Sequence, residues 1–490
     1  MSNNHLIGKQ VIQVEVNAAE DTYVLQQKLS ELVWKNLAPE LSDLFDRYAG
    51  EEQVLQLDKV EIDLGKINLK GLDDDTITRE ILQLLEAELK QHTVEINSKN
   101  NENSQGFAKP KLGQSTTNYM FQLWLFWLER GVLPVYALKP ENNWISQVLE
   151  TLATEHRAIS RLKETLLKSE NALQRLILQH SEKDLKSIVE LYTGFSQNQL
   201  LVFKEELRKF LKKESKSLSV LKINFRELEI KNWELVLRKV ILQAKKSNSE
   251  VLQRAILQEL PDKLFRQLKE IAETKPGMYS YMNEAIGRIS EKNKASHLDI
   301  GEENILEITA AGSNQIQAEF DEIKRTQFIT NAGLVLLHPF LIRLFQKLEF
   351  LEENNFKNFH CQSKAVLLLQ FLATGNDVMP EYEMQLPKFL CGMPAKLPIY
   401  HLIRLSRTEK EESNHLLKAV IENWGALGTT SPEGLQEGFL VRDGKLMKND
   451  SGWKLIVEAK TIDILLDKLP WGISIIKLPW MEEHLKIAWR

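Results

Sequence analysis

The sequence predicts an α+β chain, mainly α, and three observations carry that prediction. Apolar residues recur at three- and four-residue steps over most of the length, strict alternation is confined to short stretches near the two ends, and eight of the fourteen prolines follow residue 338. The expected order is a small βαβα module at 1–95, a flexible linker at 96–118, and a helical region with repeated hairpins at 119–289. A second linker at 290–327 and a Trp- and Pro-rich mixed α/β domain with a β-meander at 328–490 complete it.

The N-terminal module begins with Ile12, Val14 and Val16 alternating with Gln13 and Glu15, the period of a half-buried strand. Leu25, Leu29, Leu32, Val33 and Leu37 then form a helical stripe, which Pro39 interrupts and Leu41, Leu44, Phe45 and Tyr48 resume. In VLQLDKVEIDLG the apolar phase slips by one residue at Asp58-Lys59, which predicts a bulged second strand. Ile77, Ile81, Leu84, Leu85 and Leu89 line a closing helix, and Asp73, Asp74 and Asp75 at its start cap it and answer its dipole. The first 100 residues hold 19 acidic and 10 basic side chains, a net of −9 in a chain whose total is only −5. The linker INSKNNENSQGFAKPKLGQSTTN is almost empty of large apolar residues.

From Tyr119 the pattern is helical, beginning with the fat apolar face of Trp124, Trp127 and Leu128 that ends at Gly131. Leu173-Gln-Arg-Leu-Ile-Leu-Gln and Leu252-Gln-Arg-Ala-Ile-Leu-Gln agree at six of seven positions, and the register extends to Leu185 against Leu264 and Val189 against Leu268. The echo reads as a shared unit of stacked hairpins, set against a coincidence of two Leu-rich helices. The charged run at 204–214 reads as a solvated face.

The C-terminal third alternates helices at 334–350, 364–373 and 415–424 with Pro- and Gly-broken turns. Residues 439–442 and 445–448 around Asp443-Gly444 read as a hairpin, with Trp453, Leu455 and Val457 as the next strand. The end repeats Lys-Leu-Pro-Trp twice, and Trp471, Trp480, Met481 and Trp489 are the candidate interface residues, with core packing the favoured competing reading.

Composition excludes much. A net charge of −5 gives no field for holding nucleic acid or an anionic membrane, and no apolar run approaches the ~20 residues needed to cross a bilayer. The start carries no basic and apolar leader pattern, so a cytoplasmic place of assembly is expected. Two cysteines, Cys361 and Cys391, without a CxxC or ligand spacing, read as buried thiols rather than a disulfide or a metal site. Phosphate-binding, dinucleotide, nucleophile-elbow, zincin and EF-hand motifs are all missing, so no catalytic, cofactor-binding or metal residues are assigned. His338 and His401 lie on apolar runs and read as packed histidines. Glu381 and Glu383 flank Tyr382, and Glu482 and Glu483 precede His484, but at a charged content of 27% such pairs arise freely.

The segments HLIGKQVIQVEV, LQQKLSELVWKNLAPELSDLFDRYAG and LDKVEIDLG open the chain. NAGLVLLHPFLIRLF, AVLLLQFLATG, LPKFLCGMP, LLKAVIENWGALGTTSPEGLQEGFLVRDGKL, SGWKLIVE and LLDKLPWGISIIKLPWM follow in its last third. Together they cover roughly half its length, and this set resembles the contractile injection system tape measure protein family. The resemblance implies a structural or assembly component of a phage-tail-like particle, lying in the growing inner tube and limiting its length. It implies inner-tube, baseplate or spike proteins as partners and no covalent chemistry, and the symmetry of such a particle leaves room for a homo-oligomer, a trimer or a hexamer, without fixing one. An assembly chaperone, a tube or baseplate adaptor and a cargo effector are the alternatives. One continuous helix of 490 residues would span about 735 Å. Fourteen prolines and two strand-bearing regions rule out such a helix, so a ruler would have to be stretched inside the tube.

Overall fold

Among the residues described in the computed structural model, apolar stripes at helical spacing become helices, and the strands are short, two to six residues each. The structure describes residues 5, 7, 10–14, 22–48, 53–54, 60–65, 74–99, 114–134, 137–141, 144–155, 157–213, 225–292, 326–400, 403–449 and 452–489. The backbone divides into two units, residues 1–124 with 136–151, and residues 125–135 with 152–490.

The first unit holds α1 (Thr22–Leu32), α2 (Ala38–Tyr48), β1 (Gln53–Val54), α3 (Asp74–Lys99) and β2 (Gln114–Ser115). Pro39 does not end the first helix, because a π-turn over Val33–Leu37 precedes it. The wider turn takes up the missing amide donor, and the helix runs on. Leu37, Leu41, Leu44, Leu85 and Leu89 make the core, with Ile81 and Leu82 packed against it. Leu84 is 37% exposed, since 77, 81, 85 and 89 keep a strict four-residue step that leaves 84 off the face. Residues 10–14 form no strand, and Val11, Ile12 and Val14 are exposed. The short β1 pairs antiparallel with β2 instead, with Gln53 opposite Ser115. Val16, Asp73, the phase slip at Asp58-Lys59 and residues 100–113 lie outside the described residues.

Two helices, α4 (Thr116–Arg130) and α5 (Trp144–Thr154), lead from one unit into the other along the chain. In the second unit α6 (Ala158–Lys168), α7 (Glu170–Gln179), α8 (Glu182–Thr193) and α9 (Asn198–Lys213) are followed by α10 (Phe225–Gln243), α11 (Ser249–Gln258), α12 (Asp262–Thr274) and α13 (Ser280–Lys292). The repeated motif opens α7 and α11 at equivalent points. Ser169 caps α7 by accepting from the amide of Ala172, and Asn248, its counterpart in the second copy, caps α11 by accepting from Val251. Leu173 and Leu252, Leu185 and Leu264, and Val189 and Leu268 are all buried. The two matching motifs thus lie in helices with a side-chain cap at the same position and with the same leucines buried. Among the charged run, Lys204 is buried rather than solvated.

The C-terminal part carries β3 (Thr326–Ile329), α14 (His338–Lys347), β4 (Leu351–Glu352), β5 (Asn355–Phe356), α15 (Phe359–Thr374), α16 (Gln385–Leu390), α17 (Arg407–Asn423) and α18 (Pro432–Leu435). β6 (Gly444–Asn449), β7 (Gly452–Val457), β8 (Ile475–Ile476) and β9 (Leu485–Ala488) follow. Five strands form one mixed sheet in the order β3-β6-β7-β9-β8, in which β7 and β9 are parallel. This replaces the simple meander read from sequence. The hairpin also turns later than expected, between Asn449 and Gly452, and Asp443-Gly444 only starts β6. Its reason is packing: residues 436–440 coil into a π-turn that buries Phe439 and Leu440. A Cβ on Gly333 would stand 1.8 Å from the Phe439 carbonyl oxygen, so only glycine lets the two backbones meet. One continuous core runs from Ile329 to Trp489.

Candidate interface and the buried ionic centre

Arg175 follows the buried Leu173 on α7 and is itself 0% exposed. Its Nε donates to Glu381 Oε2 at 2.9 Å and its Nη2 to the Lys396 carbonyl at 2.6 Å, while Nη1 donates to the Leu128 carbonyl at the end of α4. Lys388, from α16 and also fully buried, donates to Glu381 Oε1, to the Ala395 carbonyl at 3.1 Å and to the Leu397 carbonyl at 2.8 Å. One carboxylate therefore answers two buried cations, and four backbone carbonyls take up the remaining donors. Burial lowers the Lys388 pKa, and Glu381 opposes that shift.

The surroundings are built to fit. Gly131 has φ +76°, and a Cβ there would come within 2.5 Å of the Ala395 carbonyl oxygen and 2.6 Å of Arg175 Nη2. Its own carbonyl accepts from Gln385 Nε2 at 2.9 Å, and Gln179 Nε2, one turn beyond Arg175, donates to the Ile399 carbonyl. Trp127 meets Tyr382 edge-on, with ring centroids 6.5 Å apart. The Glu381 that sequence offered as half of an acid/base pair is an ion-pair hub, held away from water.

A second charged group lies among α8, α9 and α10. Lys204 Nζ sits 3.2 Å from Glu182 Oε1, outside hydrogen-bond alignment, and 3.9 Å from the Trp233 ring centroid. Arg208 bridges Glu182 at 2.9 Å and Glu229 at 2.6 Å, and Trp233 Nε1 donates to Glu182 at 3.1 Å. Burial pushes the Glu182 carboxyl up, but Lys204, Arg208 and Trp233 outweigh it and hold the pKa at about 2. For Lys204 burial wins over Glu182, and the ammonium pKa falls to about 8.

The four candidate interface residues lie on or near the last strands, and three of them turn inward. Trp480 is 8% exposed, donates from Nε1 to the Leu390 carbonyl at 2.8 Å and packs on Phe345 and Phe356. Met481 is buried, and its Sδ accepts from the Leu478 amide at 3.4 Å. Trp489 donates to Asp463 Oδ2 at 3.1 Å, and the Arg442 guanidinium lies 5.6 Å from its ring. Trp471 is half-buried, edge-on to Phe340, and donates to the Leu336 carbonyl at 3.1 Å. All three indole donors are used within the chain.

Among the described residues no group of three or more His, Cys, Asp or Glu side chains could hold a metal ion. Cys391 is fully buried, which raises its thiol pKa well above the ordinary value, and Cys361 is half-buried. Burial lowers the His338 pKa, and its Nδ1 pairs with the Val335 carbonyl, while His401 lies outside the described residues. The buried ionic centre ties α4, α7 and α16 together.

A family model, contractile injection system tape measure protein, matches residues 4–489. The chain belongs to that family. No curated protein matches the chain, and no solved structure does. As a tape measure family member it is part of an injection particle, and none of its described helices is long and apolar enough to cross a membrane. Sequence reasoning missed Arg175 and Lys388 as the centre of this fold. The available signal was an arginine repeated within two apolar stripes, at 175 and 254.

Proposed function

We propose that this tape measure family chain serves particle assembly as a folded, non-enzymatic body, and that it need not be drawn out to its contour length inside the tube. The observation that carries the reading is the Arg175–Glu381–Lys388 centre. It draws together residues 206 apart in sequence, with Arg175 and Glu381 0% and 1% exposed. Drawing the chain straight would pull apart this contact between distant segments, and with it the continuous apolar core from Ile329 to Trp489, whose burial is the main stabilising term a stretched chain gives up. On this reading the partners are inner-tube, baseplate or spike subunits, and the chain joins them during assembly in the cytoplasm.

The repeat supplies the test. A tandem copy of residues 170–248 adds one full repeat length to the chain. If the chain is stretched as a ruler, electron microscopy of particles shows tubes longer by a fixed step, about 120 Å for added helix. If it works as a folded body, tube length stays unchanged while particle yield alters. A deletion strain gives few particles or scattered lengths under either form of the assembly role. Normal particles from that strain point to cargo, and a protein required for particles yet absent from them points to a chaperone.

A further inference from the structure

One face of the five-stranded sheet is filled by Leu446, Leu455, Val457 and Leu485, and the opposite face is open. On the open side Phe328 of β3, Ile456 of β7 and Ile475 of β8 are 56%, 39% and 62% exposed. Lysines stand between them in register: Phe328 beside Lys445, Lys445 beside Ile456, and Ile475 beside Lys486. Lys486 in turn is paired with Lys454 across the parallel β7 and β9. Alternation along each strand puts all six on one face.

Among the described residues none of the three lysines has a carboxylate partner. The nearest acidic side chains in sequence sit at the ends of the strands. Glu458 is paired with Lys460 at 3.4 Å and Glu483 with Lys448 at 2.7 Å, and Asp443 is exposed before β6 begins. Two like charges directly opposite on neighbouring strands weaken a sheet. Three exposed apolar side chains add to the cost of leaving this face in water. Both costs are relieved by one kind of occupant.

We propose that this face docks an acidic protein surface, with carboxylates that meet Lys445, Lys454 and Lys486 and apolar side chains that cover Phe328, Ile456 and Ile475. The occupant is another subunit of the particle, so the inference rests on the assembly role proposed above. Five strands at about 4.8 Å spacing give a face roughly 20 Å across, wide enough for a sizeable share of the ~800 Å² that one partner of a stable interface buries. A nucleic acid fits less well, because the face offers three cations, no arginine and a single ring, Phe328, on its edge strand, where successive bases would need several rings to stack on. A membrane fits less well because a flat sheet inserts no apolar wedge.

The test uses the full chain and two variants, Lys454→Glu with Lys486→Glu, and Ile456→Ser with Ile475→Ser. Each is titrated by biolayer interferometry against every separately purified structural subunit of the particle, at about 50 and about 300 mM salt. The expected result is that one acidic subunit binds, that each double variant weakens it about tenfold or more, and that salt erodes the wild-type affinity more than that of the lysine variant. Unchanged thermal melting of the lysine variant separates this from misfolding. The proposal is overturned if no subunit binds, if the variants bind as tightly as the wild type, or if tRNA or anionic vesicles are the probes whose binding the lysine change abolishes. Such a failure leaves the tube-length result of the duplicated chain untouched, so the two readings fail separately.

Discussion

Arg175 and Arg254 occupy the same place in two matching helical motifs, on α7 and α11, and meet different surroundings. Arg175 is fully buried and spends its donors on Glu381 and two backbone carbonyls. Arg254 is half-buried, its Nε has no acceptor, and it forms no ion pair among the described residues. The difference continues along the unit. Glu182 begins α8 and gathers Lys204, Arg208 and Trp233, whereas the equivalent position in the second copy is Pro261, ahead of α12. The first segment carries buried charge that ties it to distant elements, and the second packs through its leucines. What a motif does here is decided by the element that comes to rest on it.

Glu381→Gln is the largest perturbation of that contrast. It leaves Arg175 and Lys388 as two buried cations with no anion, and the expected loss is about 4 kcal/mol or more of unfolding free energy. Urea melting of the full chain, followed by tryptophan fluorescence, reads it as a large drop in the midpoint. A change under about 1 kcal/mol would show that water or a lysine deprotonation already relieves the site. Arg175→Ala is expected to cost somewhat less, about 3 kcal/mol, since Lys388 still neutralises Glu381 and the loss is three protein acceptors left without their donor.

Local patterns made the helices legible and left the ionic centre invisible. Stripes at three and four residues fix a helix from its own sequence, which is why α7, α11 and α15 lie close to where the apolar spacing puts them. β3 was not legible, because Thr326–Ile329 sits at the end of a stretch read as linker and gains its strand character only by pairing with β6. The hairpin was misplaced because Asp443-Gly444 is a strong local turn signal, and burial of Phe439 and Leu440 overrides it. No spacing rule joins residues 175, 381 and 388, so a reader of sequence sees only a charged residue inside an apolar run. For the terminal tryptophans, sequence offered an interface reading beside a core reading, and spacing alone does not say which way a ring points; Trp480 and Trp489 are buried.

Acid tests the second charged group of the first repeat. Glu182 has a folded pKa of about 2 against an ordinary 4.5, so its contribution is complete above pH 4.5 and is lost as pH falls toward 2. The side chain is 36% exposed, so solvent screening cuts the effect to about 1–2 kcal/mol. Glu182→Gln should therefore lower the urea midpoint at pH 7 and remove part of the loss that the wild-type chain shows between pH 4.5 and 2.5. A variant with the same acid sensitivity as the wild type would assign that loss to other carboxylates.

Arg254→Ala is the smallest expected change and the sharpest check on the comparison. The side chain is half-buried with an unbonded Nε, so truncation removes packing of its methylenes and relieves an unsatisfied donor, and these oppose one another. The net effect on the urea midpoint should lie within about 0.5 kcal/mol, against roughly 3 for the same change at Arg175. If the two alanine variants cost the same, Arg254 has a carboxylate partner of its own and the two copies are equivalent after all. If Arg254→Ala leaves stability alone but reduces particle yield, its donors are used between subunits. The second repeat would then bind to a neighbouring protein through the same arginine with which the first binds to its own chain.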